Sequence, residues 1–236
     1  MTNLKRMLAA IPIATAMAWA GAATAAPIFD TQLAAPGVYF GTGNTNDHFV
    51  VENGAGMELG LGTLKRFLGP IAPDSGTSVY HVLTGTTAVP GKTGTDWGFA
   101  FSINTDVAGS SGLTLSNIIT SLCVQDVGAA TTTCFDPQLI PDNAHAPSFL
   151  TTTAQNAEAL QFSTLATRFF DPAFDIDANN SYIFTLSART LEGQLLASVQ
   201  MTDIAGTGAS VPEPFSLSLL GLGFVGMGAF RRRKIA

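Results

Sequence analysis

The sequence has little charge, and most of that charge is negative. Of 236 residues, 12% are charged and 46% are hydrophobic, and the formal net charge is −6. Such a low charged fraction excludes a chain that is mostly solvated and disordered. The acidic balance argues against nucleic acid as a partner, because phosphate backbones require clustered lysine and arginine.

Cysteine is scarce as well, with two residues in the whole chain. This count excludes a disulfide-dense scaffold and a four-cysteine zinc site. Cys123 and Cys134 flank a segment that contains Gly128 and Ala129. In an oxidising compartment we expect a disulfide that clips a hairpin here, with two free buried thiols as the alternative.

The common signatures of catalysis are missing. No G-x-S-x-G, H-E-x-x-H or phosphate-binding G-x-x-x-x-G-K-[ST] pattern occurs. His48, His81 and His145 are far apart and lack the spacing of metal ligands, and the first two are expected at half-buried strand positions. His145 is a weak partner for a thiol at Cys134, and a carboxylate pair for glycoside hydrolysis stays open. We predict no enzyme activity and no cofactor.

The basic residues that exist are concentrated at the two ends of the chain. Six of the eleven lie outside residues 26–210. That central body holds five basic and sixteen acidic residues, a net charge of −11. The ends and the body are therefore suited to different surroundings.

The N-terminus has the three parts of a secretory signal peptide. Lys5 and Arg6 precede an apolar stretch at residues 7–20, and small residues follow at Ala23-Thr24-Ala25. We predict a signal peptide over residues 1–25 with cleavage between Ala25 and Ala26. Cleavage after Ala22 is an alternative, and a buried core helix is a disfavoured one.

The C-terminus combines a proline-rich triplet, an apolar run and a basic end. Pro212-Glu213-Pro214 is followed by apolar residues 215–230 and then by four basic residues, Arg231, Arg232, Arg233 and Lys234. A helix over 215–230 would span about 24 Å, against about 30 Å for a bilayer core. We predict a short transmembrane helix whose basic tail stays cytoplasmic. The acidic body then lies outside.

These three parts in this order resemble the PEP-CTERM sorting signal of Gram-negative bacteria, which is also known as the ice-binding protein C-terminal domain. The resemblance covers residues 211–236. It implies recognition by an exosortase-type membrane enzyme, which releases or re-anchors the exported body. It further implies a cell-surface or extracellular protein associated with exopolysaccharide and biofilm matrix. An ordinary tail anchor is the alternative.

The body at residues 26–210 shows the two-residue alternation of β-strands. Trp97, Phe99, Phe101 and Ile103 alternate with small or polar residues, which predicts a strand that lines a core. Further strands are predicted at 57–62 and 79–83, and a hairpin at 181–188 and 194–202. The inner faces expected in that hairpin are Tyr182, Phe184 and Leu186 on its first strand, and Leu195, Ala197, Val199 and Met201 on its second.

Dense turn chemistry between these strands predicts an all-β fold, a single β-sandwich or jelly-roll-like ectodomain. Clusters of Gly, Asn, Asp and Pro separate the runs, and no strand–helix alternation is present. The one amphipathic pattern of helical length covers Ala154–Leu165. The body also resembles, more loosely, a recurring class of PEP-CTERM ectodomains.

A weak metal site is suggested by one acidic turn. Asp175, Asp177 and Asn179 have the D-x-D-x-N spacing that opens a calcium loop. Asn180 stands where the turn glycine belongs, and Leu186 stands where the bidentate acid belongs. A solvated turn rich in Asp and Asn is therefore the preferred interpretation.

Carbohydrate binding is the alternative function, because sugar-binding modules stack sugars on exposed aromatic rings. Trp97 is expected in the core, whereas Tyr39 and Tyr80 are freer candidates. Ice binding would require aligned threonines. The runs Thr131–Thr133 and Thr151–Thr153 are consecutive, so their side chains alternate between faces.

Overall fold

Two β-sheets form the body of the protein. The computed structural model describes residues 25–34, 46–140, 143, 151–161 and 174–207. The described strands are β1 (Ile28–Thr31), β2 (Phe49–Gly54), β3 (Met57–Lys65), β4 (Gly69–Ile71), β5 (Val79–Leu83), β6 (Trp97–Asn104), β7 (Ile118–Asp126), β8 (Thr131–Phe135), β9 (Thr153–Glu158), β10 (Asn180–Thr190) and β11 (Leu195–Gly206). Short 3-10 turns occupy Leu115–Asn117 and Pro137–Leu139. Within the described residues, no helix is long and apolar enough to cross a membrane.

The sheets have different connectivity. The first has the order β1-β2-β3-β6-β9, with β4 paired to β3, and the second has the order β5-β11-β10-β7-β8. All neighbours pair antiparallel except β5 and β11, which run parallel. The predicted all-β class and the predicted β10–β11 hairpin are confirmed. The jelly-roll form stays a prediction.

The two sheets enclose one apolar core, because their facing strands alternate as the sequence predicts. Phe99 on β6 and Phe184 on β10 meet across the core with ring centroids 5.0 Å apart. Both rings are completely buried. Burying an aromatic side chain contributes a few kcal/mol, so these rings hold the sheets together.

A second apolar layer covers the outer face of the six-stranded sheet. Gly60 and Gly62 on β3 leave room there for the Phe49 ring, and Leu33 packs beside it. A Cβ at Gly60 would lie 2.6 Å from a methyl group of Leu33. Because of this layer, both faces of β3 are buried over Met57–Thr63.

Three sequence predictions are wrong in their local detail. The amphipathic pattern of helical length at Ala154–Leu165 does not form a helix in its described part, because residues 153–158 pair with β6 as a strand. Leu195 lies off the inner face, since a bulge at Ala188 and Arg189 shifts the register of the hairpin. His48 is outside the strands: it precedes β2 with a positive φ of 65°.

Gly54 tests how closely the two sheets approach each other. A Cβ at Gly54 on β2 would collide with the backbone carbonyl of Leu196 on β11, whereas one at Gly206 would meet nothing nearer than 3.9 Å. We expect Gly54→Ala to lower the free energy of unfolding by about 1–3 kcal/mol, as overpacking typically does. Gly206→Ala is the matched control and should change it by less than about 0.5 kcal/mol. Equal urea midpoints for the two variants would contradict this packing.

Candidate functional site

The two cysteines form a disulfide across the β7–β8 hairpin, as predicted. Cys123 and Cys134 are directly opposite in the antiparallel register, with Cα atoms 4.0 Å apart. Their positions face outward, and β8 is the edge strand of its sheet. Among the described strands, β8 has a neighbour in its sheet on one side only, and the bond fixes it to that neighbour.

The candidate calcium residues act as turn-forming groups. Asp175 Oδ1 accepts a hydrogen bond from the backbone N–H of Asp177 at 2.9 Å, which is an Asx turn. Asn179 Oδ1 accepts one from the N–H of Thr207 at 3.0 Å. Over the described ranges, no three His, Cys, Asp or Glu side chains are grouped so that they could hold a metal ion.

The aromatic residues considered for sugar stacking are buried where they are described. Trp97 packs against Phe174 and Tyr182, with ring centroids 6.4 and 5.6 Å away, so its predicted core position is confirmed. The expectation that Tyr80 is free is wrong. Its ring is fully buried and its hydroxyl donates to the carbonyl of His48 at 2.7 Å. Tyr39 lies outside the described residues.

Two of the histidines form pairs with aspartate. His48 Nδ1 lies 2.6 Å from Asp30 Oδ1, and His81 Nε2 lies 3.0 Å from Asp74 Oδ2. His81 is on β5 with a half-buried side chain, as expected. Each pair joins neighbouring segments of the fold. His145 lies outside the described residues.

A shallow cleft with a volume of about 20 Å³, little more than the space for one water molecule, lies beside β7 and β8, with aromatic and hydroxyl groups in its wall. It is lined by Val124, Asp126, Thr131, Thr133, Leu160, Phe174 and Tyr182. Its one lining carboxyl group, that of Asp126, accepts hydrogen bonds from the N–H of Ala129 at 2.8 Å and from the side chain of Asn180 at 2.7 Å. This carboxyl group therefore serves the local turn.

A carboxyl group lies in the core between the sheets. Asp203 on β11 is completely buried, and its Oδ1 accepts a hydrogen bond from the Thr63 hydroxyl of β3 at 2.6 Å. Its Oδ2 has no hydrogen-bond partner in the described part of the chain. Burial raises the pKa of Asp203 to about 8, against the smaller opposing effect of the Thr63 hydrogen bond. The group is therefore a neutral acid at neutral pH.

The end of β11 is where the described chain leaves the sandwich. Gly54, which pairs with Met57 at the start of β3, lies against Leu196 at the start of β11. Thr63 contacts Asp203 further along both strands. The strands β3 and β11 therefore run in the same direction and finish at the same end of the sandwich. We term this the exit end. The N–H of Thr84 donates to the Gly206 carbonyl at 3.2 Å and holds the last residue of β11 at this end.

A basic and apolar surface lies at the exit end, in the turn that follows β3. Phe67 and Leu68 are 48% and 64% exposed. The Arg66 guanidinium and the Lys92 ammonium lie 4.8 and 5.1 Å from the centroid of the Phe67 ring. We term Lys65, Arg66, Phe67, Leu68 and Lys92 the basic tip.

Sequence reasoning missed this surface. It holds three of the five basic residues of the body, but Lys92 is distant in sequence from Lys65 and Arg66. The loop at 84–96 brings it there, since the N–H of Arg66 donates to the Asp96 carbonyl at 2.8 Å. The consecutive basic and apolar residues Lys65-Arg66-Phe67-Leu68 were the sequence feature that could have indicated it.

The sequence-predicted sorting and cleavage residues are mostly outside the described ranges. Ala25 and Ala26 are described and lie exposed before β1. Residues 1–24 and 208–236 are not described, and these hold the rest of the predicted signal peptide and the whole sorting segment. Cleavage at Ala25 and the helix over 215–230 stay predictions.

Comparison with known families identifies one segment of the chain. A PEP-CTERM protein-sorting motif matches residues 210–234. No curated protein and no solved structure matches the chain. The match begins three residues beyond Thr207, the last described residue of the exit end.

The disulfide is expected to stabilise the sandwich substantially. Replacing Cys123 and Cys134 together by serine should lower the free energy of unfolding by about 3 kcal/mol, because the loop between them is no longer closed in the unfolded chain. Treating the wild-type protein with a thiol reductant should lower its melting temperature to about that of the double serine variant. A reductant effect that persists in the double variant would contradict this assignment.

Asp203 should make stability fall as pH rises. The unfolded carboxyl ionises near its ordinary pKa of 3.8, whereas the folded one keeps its proton up to about pH 8. Stability should therefore fall by about 1.4 kcal/mol per pH unit across that interval, and then level off. Asp203→Asn should remove this slope from urea unfolding at pH 5 to 8.

Asp106→Asn is the control, because the N–H of Ser111 lowers the pKa of Asp106 and places its titration below that interval. An unchanged slope in Asp203→Asn would show that another group is responsible.

Proposed function

We propose that this chain, which carries a PEP-CTERM protein-sorting motif, is a structural component of the cell surface or extracellular matrix. The motif indicates an exported, membrane-associated protein that an exosortase-type enzyme processes. The finer proposal is that the acidic sandwich is the cargo, delivered from a Gram-negative cell into an exopolysaccharide or biofilm matrix. It acts there through its folded body and without catalysis.

The observation that carries the proposal is the direct connection between the motif and the sandwich. β11 lies between β5 and β10, so it is an interior strand of its sheet. Only Gly208 and Ala209 separate Thr207 from the motif. Sorting the C-terminal segment therefore determines where the folded body is placed.

The polar groups of the described body support a structural role. The Asp–His pairs, the Asp175 turn and the Asp126 carboxylate each satisfy neighbouring groups of the fold. A disulfide across an exposed edge strand suits a protein that works outside the cell. These contacts favour a role in stabilising the fold over a role in catalysis.

Carbohydrate binding is less well supported. It requires exposed aromatic platforms, and Trp97, Tyr80 and Tyr182 are all buried. Phe67 is half exposed, but the Arg66 guanidinium and the Lys92 ammonium lie 4.8 and 5.1 Å from its ring centroid. A matrix association through weak polar contacts remains part of the proposal, with exopolysaccharide as the partner.

Replacing Pro212, Glu213 and Pro214 together by alanine tests the sorting. We expect the body to accumulate unprocessed in the membrane fraction, because the processing enzyme no longer recognises its substrate. Thr207→Ala, just outside the motif, is the control and should be processed as the wild type is. Fractionation and immunoblotting of cells with and without their exosortase provide the readout. Normal processing of the triple variant would refute the proposal.

A further inference from the structure

The exit end presents a surface that the sorting motif does not explain. We propose that the basic tip docks the sandwich onto a phospholipid bilayer, beside the point where the C-terminal segment meets the membrane. This inference rests on the proposed sorting, because the segment must first bring the body to the membrane. Docking would fix how the body stands on the membrane before release or re-anchoring.

The apolar part of the basic tip is displayed by the backbone. Phe67 has a positive φ of 67°, which a bulky residue rarely adopts. Gly69, two residues later, has a φ of 123°. The turn closes with a hydrogen bond of 3.0 Å from the N–H of Leu68 to the Lys65 carbonyl. It thereby projects two consecutive large apolar side chains, an arrangement suited to the boundary between headgroups and acyl chains.

The charged part of the basic tip matches phosphate headgroups. Lys92 is exposed, and none of the described acidic groups lies within ion-pair distance of it. Lys65 pairs with Asp96 at 3.3 Å, and Glu158 acts electrostatically on Arg66. Asp96 and Glu158 are buried and Lys65 and Arg66 are half-buried, whereas Lys92 is exposed. Lys92 is therefore the cation of the tip most open to a phosphate headgroup, on a body with a net charge of −11. Basic residues beside apolar ones are favoured at anionic bilayer surfaces.

Hydrogen bonds connect the basic tip to the chain exit. The N–H of Arg66 donates to Asp96, and the N–H of Asp96 donates to the Gly85 carbonyl at 3.0 Å. Thr84, the neighbour of Gly85, is bonded to Gly206 at the end of β11. The tip therefore belongs to the same rigid end of the sandwich as the exit.

The chain that follows keeps this end near the membrane. Seven residues, 208–214, separate Thr207 from Phe215, where the apolar run begins. Fully extended, the chain from Thr207 to Phe215 spans about 28 Å at most. Such a short connection gives the tip a high effective concentration at the bilayer. A surface with a low intrinsic affinity for lipid is therefore sufficient for docking.

The exit end also carries acidic groups next to the loop at 84–96. The N–H of Gly85 donates to the Ile176 carbonyl at 2.7 Å, so the loop bearing Asp175 and Asp177 lies beside Gly85. Both of these aspartates are exposed. We therefore expect a tilted contact through the tip rather than contact through the whole end.

Tryptophan quenching tests the docking in the full chain. Phe67→Trp and Leu191→Trp chains are reconstituted into phosphatidylcholine vesicles with phosphatidylglycerol, with and without brominated acyl chains. Leu191 is the matched control, since it is 59% exposed in the turn at the opposite end of the sandwich. The parent chain supplies the background of Trp19 and Trp97. We expect the added tryptophan of Phe67→Trp to be quenched at least about twofold more than that of Leu191→Trp.

Charge provides the second arm. Lys92→Gln in the Phe67→Trp chain should lower the docked-to-undocked ratio about fivefold on vesicles with phosphatidylglycerol. It should have little effect on phosphatidylcholine alone. An equal effect on both vesicle types would overturn the role of the headgroup charge.

The remaining outcomes separate the two proposals. Chains that do not float with vesicles overturn the anchoring, and the docking with it. Chains that float while both added tryptophans are quenched equally overturn the docking alone. A Phe67→Trp emission that shifts with the anionic polymer alginate but not with vesicles assigns the tip to a polymer, and likewise overturns docking.

Discussion

The placement of β11 is the constraint on which the rest of the structure depends. This strand pairs with β10 and β5 within its sheet, faces β2 and β3 across the core, and then leads into the sorting motif. A strand held on so many sides cannot be withdrawn without unfolding the sandwich. The sorting motif is thus continuous with an interior strand of the folded body.

The parallel strand β5 pairs only with Thr202–Gly206 of β11, and polar groups lie along β11 both outside and inside this paired part. Beyond its reach, the Glu52 carboxylate of β2 accepts a hydrogen bond from the N–H of Ser198 at 3.4 Å. Where β5 does pair, Asp203 is enclosed between the sheets as a neutral acid. A buried acid costs stability that an apolar residue of similar size would not.

The sequence predicted those parts of the fold that depend on local alternation. Trp97 to Ile103 and Tyr182 to Leu186 have one apolar face each, which is sufficient to assign a strand and its inner side. Ala154 to Glu158 is different, because its small and polar residues suit either a helix or a strand. The segment is a strand because it pairs with β6. Tyr80 could not be placed either. Its burial depends on β5 joining β11 from a distant part of the chain.

The candidate sites divide in the same way. Cys123 and Cys134 are near in sequence, so their pairing was predictable, as was the continuous segment that carries the sorting motif. The basic tip depends on Lys92 meeting Arg66 and Phe67 through a loop, and no local pattern encodes that meeting. The buried position of Asp203 likewise could not be predicted, because its partner Thr63 lies on the other sheet and is distant in sequence.

The central claim is that this sandwich is an exported cargo whose C-terminal segment is processed. Intact-protein mass spectrometry of the chain recovered from the cell surface and the medium tests it most directly. The account predicts a species that begins at Ala26, lacks Arg231 to Lys234 and has the mass of an oxidised Cys123–Cys134 pair. A full-length chain with both termini intact and two free thiols, recovered from the cytoplasmic fraction, would contradict it.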